Sequence, residues 1–567
     1  MAAALRHRGP DDSDVWVDPS SRVMLANARL AVRDTSPSGR QPVQSPDGRV
    51  VMTYNGELYR RRGEQGTQWP PRSQADTEQF LQVLHGARDI SAALRDTDAM
   101  FALAWIDQAS GVVRLARDHF GIKPLVYAVL PDCVVFASEP TALFASGLVE
   151  PGVDPLTFVR KAYVRMDAAD DETWFRGIRC VPPASMLTLD GGDIRTETFW
   201  EPRLRDADVT PDEVTAAFAN AVAIRRPADR TKAALLSGGF DSTAVFTALV
   251  RAGDDVEAYA VHFEGGSPEQ NVDLPYAREV ARDLDRPLHV CEIRPADLSH
   301  VDVALDHINR PMLHGADIGM FMTYRAIAEA GATVTFSGHG SDEMWGYQDG
   351  RYFPIVAPDF APEQHSEYYL KNHLHRNERP CWHAMIDLIA AAAGVDTGDV
   401  TDAVWETTFA PYRSLHTIDA HKRGRYHLVR RFLLYVNEMV DATSAAFGLE
   451  DRPPFQDVTL TELAFGMPEY VKNHAGPTTV KPFLKEALRS YVPDAVLNRP
   501  KRGFPTPVDA AFAAALRDRL ADSAPLFDLS WERLDLEALG VGELLFLWSS
   551  CRWFALGAAR PVVEVRR

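Results

Sequence analysis

The sequence contains few cysteines and no long apolar run. Its five cysteines are scattered, odd in number and without a Cys-x-x-Cys pair, a usage that fits a reduced, cytoplasmic compartment and does not fit a structural zinc site. No apolar stretch approaches the roughly 20 residues that a transmembrane helix needs. The first residues lack the apolar segment of a signal peptide. We therefore expect a cytoplasmic protein with no membrane partner.

Basic residues are in the minority. The chain has 60 Lys and Arg against 79 Asp and Glu, which gives a formal net charge of −19. This balance argues against a general nucleic-acid-binding surface, so no nucleic-acid partner is expected. The composition, 46% hydrophobic and 25% charged, is that of a globular protein. Because 567 residues exceed what one core supports, two or more domains are expected.

The stretch from residue 233 to residue 252 predicts a strand, a tight loop and a helix. An apolar run, 233–236, is followed by Ser-Gly-Gly-Phe-Asp-Ser at 237–242. Paired glycines let backbone N–H groups approach an anion, and the helix N-terminus adds a partial positive charge. No lysine follows them, which excludes the phosphate loop of the common nucleotide hydrolases. The pattern resembles instead the pyrophosphate loop of ATP pyrophosphatases; the alternative is an ordinary Gly-rich turn.

Strands and helices alternate after this loop. The predicted strands are 256–263, 288–293 and 334–336, and the predicted helices are 274–284 and 318–330. Such alternation favours a doubly wound α/β parallel sheet, and residues 380–440 read as an added helical subdomain. Ligands of such sheets lie at the carboxyl ends of strands, where Asp241 and Asp342 are both expected. The two carboxylates could hold Mg²⁺ together with phosphate oxygens; turn chemistry is the plain alternative.

The first 200 residues have a different pattern. Short β-rich runs at 50–54, 112–116, 125–130 and 134–137 alternate with turns, and a helix is predicted from Asp76. Asn55-Gly56 is a strong tight-turn signal. The pattern predicts a layered α+β domain over residues 1–200, followed by the α/β domain over residues 205–567.

Motifs in both halves resemble one family. In the first half they are 7–11, 29–30, 54–59, 76–78 and 117–125, and in the second 237–242, 337–343, 449–457, 481–485 and 499–507. They occur in the order seen in glutamine-dependent asparagine synthetases, a family that includes β-lactam and lasso-peptide macrolactam synthetases. The resemblance implies a class II, Ntn-type glutaminase domain followed by an ATP pyrophosphatase domain.

The resemblance also implies roles for residues. In the first domain Arg29 would pair with the α-carboxylate of glutamine, and the rest of that molecule would be held by Asn55, Gly56, Glu57 and Asp76. In the second domain the residues implied to bind ATP are Leu236, Ser237, Gly238, Gly239, Asp241, Ser242, Val261, Ser337 and Gly338. The implied catalytic residues are Asp241, His339, Asp342 and Lys481, with Asp241 and Asp342 as the Mg²⁺ ligands and Lys481 on the α-phosphate.

The implied reaction is attack of a carboxylate on the α-phosphorus of ATP, followed by displacement of AMP by an amine. The second step needs a base. Asparagine synthetases have a Glu where this chain has His339, and branches that form lactams from an internal amine also vary this position. Two enzymatic functions therefore stay open: a glutamine-hydrolysing amidotransferase acting on a small-molecule or peptide carboxylate, with glutamine or ammonia as nitrogen donor, or a lactam synthetase using an internal amine.

The chain departs from the family at the nucleophile of the first domain. That nucleophile is an N-terminal Cys, and this sequence has no Cys before Cys133. Either the true start lies upstream of Met1, or the domain has lost its nucleophile and serves as a scaffold. The chain as written is expected not to hydrolyse glutamine, since no thiolate is available. A wholly non-catalytic scaffold is disfavoured by the intact loop at 237–242. The resemblance also allows a homodimer.

Overall fold

The structure is a computed structural model. It describes residues 1–559 except 21, 63–68, 71, 72, 74, 166–170, 205, 206, 229, 266–271, 347–379, 405, 408–419, 468–479, 500–508, 525 and 530–532.

The first half is built on a six-stranded antiparallel sheet with strand order β11-β10-β6-β5-β4-β3. A three-stranded sheet, β8-β7-β9, and a hairpin, β1-β2, complete its strands. The strands are β1 (Asp12–Val17), β2 (Met24–Arg29), β3 (Val43–Gln44), β4 (Val50–Arg61), β5 (Thr97–Asp107), β6 (Val112–Arg117), β7 (Val126–Val129), β8 (Val134–Ala137), β9 (Arg179–Cys180), β10 (Ser185–Asp190) and β11 (Asp193–Thr198). The α-helices are α1 (Asp76–Gly86), α2 (Ile90–Arg95), α3 (Pro140–Phe144) and α4 (Pro155–Val164).

The central strand β5 explains why this half is layered. Successive side chains of a strand point to opposite faces, and here both faces are apolar. Leu103 and Trp105 pack into the cluster that contains Phe80 of α1, whereas Ala104 packs with Tyr127 of the three-stranded sheet. The predicted α+β layering is confirmed.

The tight turn predicted at Asn55-Gly56 is wrong. Both residues lie inside β4, opposite Ala102 and Phe101 of β5. Gly56 has φ +152°, and a Cβ there would lie 2.0 Å from the carbonyl oxygen of Met100. The glycine therefore permits a close approach of two strands rather than a chain reversal.

The second half is built on a five-stranded parallel sheet with strand order β14-β13-β12-β15-β16. Its strands are β12 (Lys232–Leu235), β13 (Val256–Phe263), β14 (Leu288–Ile293), β15 (Val334–Phe336) and β16 (Glu450–Arg452). The helices up to the second loop are α5 (Pro211–Arg225), α6 (Phe240–Arg251), α7 (Asp273–Asp283), α8 (Val301–Ile308), α9 (Ala316–Glu329) and α10 (Ser341–Trp345). The predicted parallel sheet is confirmed.

Helices make up most of the remaining described chain. They are α11 (Pro380–Ala393), α12 (Thr397–Val404), α13 (Ala420–His427), α14 (Leu433–Ala445), α15 (Val458–Gly466), α16 (Pro482–Ala487), α17 (Asp494–Leu497), α18 (Ala510–Ala521) and α19 (Val541–Ala559). Among the residues that the structure describes, no helix combines the length and apolar character that crossing a membrane requires.

A buried arginine on β16 ties the two halves together. Arg452 is fully buried and donates to Glu57 of β4 at 2.9 Å and to Glu450 at 2.7 Å. It also donates to the carbonyl oxygens of Arg225 and Pro227, both at 2.7 Å. All of these acceptors are thus satisfied by one guanidinium, which suits its planar array of donors.

A substitution of Arg452 tests how much these hydrogen bonds between the two halves contribute to stability. The variant Arg452→Met removes the buried cation from Glu450 and leaves Glu57 with Arg33 alone, so we expect the free energy of unfolding to fall by about 3–5 kcal/mol. The control is Arg49→Met, which removes a half-exposed arginine paired with Asp107 and should cost no more than about 1 kcal/mol. Urea denaturation of both variants makes the comparison. Equal losses would show that the Arg452 cluster contributes no more than a surface ion pair.

Candidate functional site

Two loops meet at the carboxyl edge of the parallel sheet. Strands β12 and β15 are neighbours, with Ala234 opposite Phe336, so the loops that follow them lie side by side. A Cβ on Gly338 would lie 2.8 Å from the backbone nitrogen of Ser242. Only a glycine lets the second loop pack this closely on the first.

The first loop has the geometry of an anion-binding turn. Gly238 has φ +77°, and a Cβ there would meet the carbonyl oxygen of Asp273 at 2.4 Å. Helix α6 begins at Phe240, and its N-cap, Gly239, offers no capping side chain. The first backbone N–H groups of α6 and the positive end of its dipole are therefore suited to an anion. Ser237 and Ser242 add hydroxyls 3.0 Å apart.

A lysine from a distant part of the chain joins the aspartates of the two loops. The Lys481 ammonium lies 2.8 Å and 2.9 Å from the two carboxylate oxygens of Asp241 and 2.5 Å from Oδ1 of Asp342. It also donates to Ser341 Oγ at 2.9 Å, and Ser341 donates to Asp241 at 2.7 Å. Lys481 is 3% exposed. One cation between two carboxylates leaves a local excess of negative charge.

The backbone at Lys481 is unusual. Its φ of 53° and ψ of 49° are left-handed, a conformation that costs a non-glycine residue about 1–2 kcal/mol. Pro482 follows as the first residue of α16, so the strained residue is the one that caps this helix. Strain of this kind is found where surrounding structure fixes a functional side chain.

His339 lies in the second loop, between Gly338 and Gly340. Its Nδ1 is 2.9 Å from Ser337 Oγ, and Ser337 donates at 2.6 Å to Asp451 on the neighbouring strand β16. Burial raises the pKa of Asp451, while the nearby His339 and the hydroxyl donors oppose that rise. His339 is thus coupled to a buried carboxylate that the sequence motifs did not identify.

The two apolar residues predicted to bind adenosine lie along the same sheet edge. Leu236 is fully buried, and its backbone nitrogen donates to the carbonyl oxygen of Tyr259 on β13. Val261, two residues farther along β13, is half-buried and pairs in register with Cys291 of β14. Both positions flank the first loop.

The five predicted glutamine ligands line one cavity of about 690 Å³, to which the second half of the chain contributes Ala445, Leu449 and Glu450. Arg29 donates to the carbonyl oxygens of Asp34 and Ser36, which fixes its guanidinium. The side-chain nitrogen of Asn55 is buried and has no hydrogen-bond partner among the described residues. It is a donor of the kind that a ligand carbonyl would satisfy.

The two acids of this cavity are deeply buried. Asp76 accepts from the backbone nitrogen of Leu58 at 2.9 Å, and burial raises its pKa. Glu57 accepts from Arg33 and from Arg452, both at 2.9 Å. Burial and the nearby charge of Asp76 raise the pKa of Glu57, while Arg452 acts in the opposite direction. One predicted glutamine ligand is thus held by the second half of the chain.

Sequence reasoning left three residues near the loops without a role. Ser341 links Asp241 to Lys481, Asp451 contacts Ser337, and Arg499 donates to the carbonyl oxygen of Gly238 at 2.7 Å. Ser341 lies inside the quoted loop motif, but its hydroxyl is common in turns. The rest of the motif that begins at Arg499 lies outside the described residues.

Comparison with known proteins identifies the family of each half of the chain. A glutamine amidotransferase domain profile matches residues 1–200, and an asparagine synthase profile matches residues 213–529. The chain is 26% identical to asparagine synthetase [glutamine-hydrolyzing] 3 of Bacillus subtilis, over 89% of this chain and 83% of that protein.

Two further relatives cover the chain to a similar extent. A putative asparagine synthetase [glutamine-hydrolyzing] of Mycobacterium bovis is 28% identical, over 89% of this chain and 83% of that protein. The amidase chry2 of Gibberella zeae is 24% identical, over 89% and 84%. The synthase profile alone spans more than half of the 567 residues. The chain belongs to the asparagine synthase family of ATP-dependent carbon–nitrogen ligases, with a glutamine amidotransferase domain at its amino-terminal side.

Proposed function

We propose that this protein forms an amide by activating a carboxylate as its acyl-adenylate, in the manner of a glutamine-hydrolysing asparagine synthetase. The observation that carries the proposal is the convergence of Lys481 with Asp241 and Asp342 beside the Gly238–Gly239 turn. An ammonium and two carboxylates next to an anion-binding turn suit a nucleoside triphosphate and its counter-ion.

In the first step a carboxylate oxygen of the substrate attacks the α-phosphorus of ATP, and the bond to the β-phosphate breaks. The turn at Gly238–Gly239 and the hydroxyls of Ser237 and Ser242 bind the departing pyrophosphate. Lys481 stabilises the negative charge that grows on the α-phosphate, because its ammonium is already desolvated and fixed. Leu236, Val261, Ser337 and Gly338 bind the adenosine.

In the second step an amine attacks the acyl carbon and AMP leaves with both electrons of the acyl–oxygen bond. The nitrogen must lose a proton, and His339 is the base that accepts it. The products are an amide, AMP and a proton passed to solvent.

The aspartates also fit a divalent cation. Asp241 and Asp342 present carboxylate oxygens at adjacent loops around one lysine, and Mg²⁺ prefers one or two carboxylates plus phosphate oxygens. Asp241 and Asp342 would hold Mg²⁺ with the triphosphate. When bound, the ion neutralises charge on the phosphates. Among the described residues, no cluster of three or more His, Cys, Asp or Glu is arranged to hold a metal ion.

The amino-terminal cavity is the site for glutamine as nitrogen donor. Arg29 would bind the α-carboxylate as a bidentate partner, and Asn55 and Gly56 would contact the side-chain amide. Glu57 and Asp76 supply the negative charge that an α-ammonium requires. The first cysteine of this sequence is Cys133.

A second function has one observation in its favour. His339 occupies the position at which asparagine synthetases have a Glu. The residue proposed to take the proton from the attacking amine therefore differs from that of asparagine synthetases. The alternative is a lactam or macrolactam synthetase whose substrate supplies its own amine, with the amino-terminal domain serving as a scaffold.

The variant Lys481→Met tests the role of the ammonium. We expect formation of AMP and pyrophosphate, followed by ³¹P NMR, to fall on the order of 10²-fold or more. The control is Lys232→Met, which removes a lysine at the opposite end of β12, where it pairs with Asp254. The control should retain the wild-type rate. Products of ADP and phosphate, or equal rates in the two variants, would contradict the proposed chemistry.

Removal of divalent metal tests the aspartates. EDTA should stop AMP formation, and added Mg²⁺ should restore it, because the triphosphate and the two carboxylates need a shared cation. Asp342→Asn should raise the Mg²⁺ concentration required for half-maximal rate. Circular dichroism of the EDTA-treated protein checks that the fold is retained. Full activity without divalent metal would refute the assignment.

Substrate choice separates the two functions. Pyrophosphate release is measured with L-aspartate plus ammonium and, separately, with larger amino-acid carboxylates that carry their own amine. Turnover of aspartate with ammonium supports the asparagine-synthetase function. Turnover with the larger substrates alone excludes it and supports the lactam synthetase.

A further inference from the structure

A buried hydrogen-bond chain leads from Asp451 to His339. Asp451 is 3% exposed and lies on β16, the strand next to β15. Its Oδ2 accepts from Ser337 Oγ at 2.6 Å, and its Oδ1 accepts from Thr335 Oγ1 at 2.8 Å and from Tyr324 OH at 3.1 Å. Three hydroxyls thus donate to one buried carboxylate, and these hydrogen bonds oppose the rise in the pKa of Asp451 that burial causes.

The hydrogen-bonding capacity of each group determines which atom donates and which accepts in this series of hydrogen bonds. An ionised carboxylate can only accept, so the single hydroxyl proton of Ser337 is given to Asp451. Ser337 Oγ then accepts from the atom 2.9 Å away on its other side, which is Nδ1 of His339. Nδ1 must carry a proton, and in a neutral imidazole the lone pair is then on Nε2.

Among the described residues, a second carboxylate, that of Asp441, lines the small cavity beside His339. The small cavity that His339 lines is also lined by Lys123 and Asp441, but these two pair with each other at 3.3 Å, and Asp441 also pairs with Arg8 at 2.5 Å. Asp451, in contrast, is connected to His339 through the hydroxyl of Ser337.

We propose that Asp451 is a positioning residue that acts through Ser337 to hold His339 in the Nδ1–H tautomer, with Nε2 as the atom that takes a proton from the incoming amine. The kinetic part of this proposal rests on the proposed function, whereas the tautomer is a property of the protein alone. When Nε2 accepts the proton from nitrogen, the ring becomes an imidazolium, and the Nδ1–H bond to Ser337 connects it to the negative charge of Asp451. This arrangement stabilises the charged ring without moving a proton to Asp451.

The proposal also accounts for a departure from the family sequence. The stretch Leu-Glu-Asp-Arg at 449–452 corresponds to the family's Leu-Glu-x-Arg, so Asp451 occupies the variable position. The chain thus has an acid at that position and a histidine at 339. A glutamate base has no tautomers to select, whereas a histidine base does.

Nitrogen NMR of the full chain tests the tautomer without any substrate. The protein is labelled with ¹⁵N-histidine, and the signals of His339 are identified by their loss in His339→Gln. In the wild type we expect a protonated nitrogen at Nδ1 and an unprotonated one at Nε2. Ser337→Ala and Asp451→Asn should each shift His339 toward the other tautomer. Tyr324→Phe is the matched control, because it removes one bond to Asp451 outside the chain to His339, and it should leave the tautomer unchanged.

Either of two NMR results overturns the proposal: a proton on Nε2 in the wild type, or an unchanged His339 in the Ser337→Ala variant. Near-ultraviolet circular dichroism identifies variants that fail to fold, and Ser337→Ala carries the test if Asp451→Asn does not fold.

Kinetic measurements then test the role of Asp451 in the amine step. With L-aspartate and ammonium as probes, Asp451→Asn should retain ATP–pyrophosphate exchange and lose amide formation by about tenfold or more, within the range of a general base. Equal loss of both partial reactions would contradict a role in the amine step. If the wild type gives no exchange with these probes, the asparagine-synthetase function fails, and the NMR result still decides the tautomer.

Discussion

The ion cluster of Lys481, Asp241 and Asp342 is the interaction on which the functional half of this protein depends. An ammonium that is 3% exposed carries a desolvation penalty of several kcal/mol unless carboxylates and hydroxyls surround it. Here they come from three separate segments, brought together by the adjacency of β12 and β15 and by the cap of α16. Buried ion pairs rarely add stability over apolar packing. The position of this cluster at a glycine turn therefore suits the proposed nucleotide chemistry better than a role in stability.

The two halves of the chain share polar as well as apolar contacts. Glu57, a proposed glutamine ligand on β4, accepts a hydrogen bond from Arg452 on β16, the strand that also carries Asp451. One short strand therefore contacts both proposed sites, the glutamine cavity through Arg452 and the His339 loop through Asp451 and Ser337. The two proposed sites therefore share one buried structural element.

The sequence predicted the loops well because glycines at strand ends have few alternative uses. The strand, turn and helix at 232–251 and the second loop at 337–342 lie where the pattern placed them, within one or two residues. Asp241 and Asp342 lie close together because each follows a parallel strand, and the carboxyl ends of these strands share one edge of the sheet. Lys481 could be placed only through the family motif, since nothing local to residues 481–485 points to a site 240 residues away.

The features that the sequence did not predict correctly also have physical explanations. Asn55-Gly56 suggests a turn because both residues tolerate positive φ, but the same glycine allows β5 to approach β4 closely. Strand β16 is three residues long and wholly charged, Glu-Asp-Arg, so it carries no apolar pattern. The free-energy cost of burying its charged side chains is offset by hydrogen-bond partners elsewhere in the chain. No local sequence pattern reveals these partners. Asp451 was unassigned for the same reason.

The most direct test of the account is a crystal structure with Mg²⁺ and an ATP analogue that cannot be cleaved between the α- and β-phosphates. The account predicts the β- and γ-phosphates on the Ser237–Ser242 turn, the metal between Asp241 and Asp342, and Lys481 Nζ within hydrogen-bonding distance of the α-phosphate. A triphosphate bound away from Ser237 and Asp342 would contradict it.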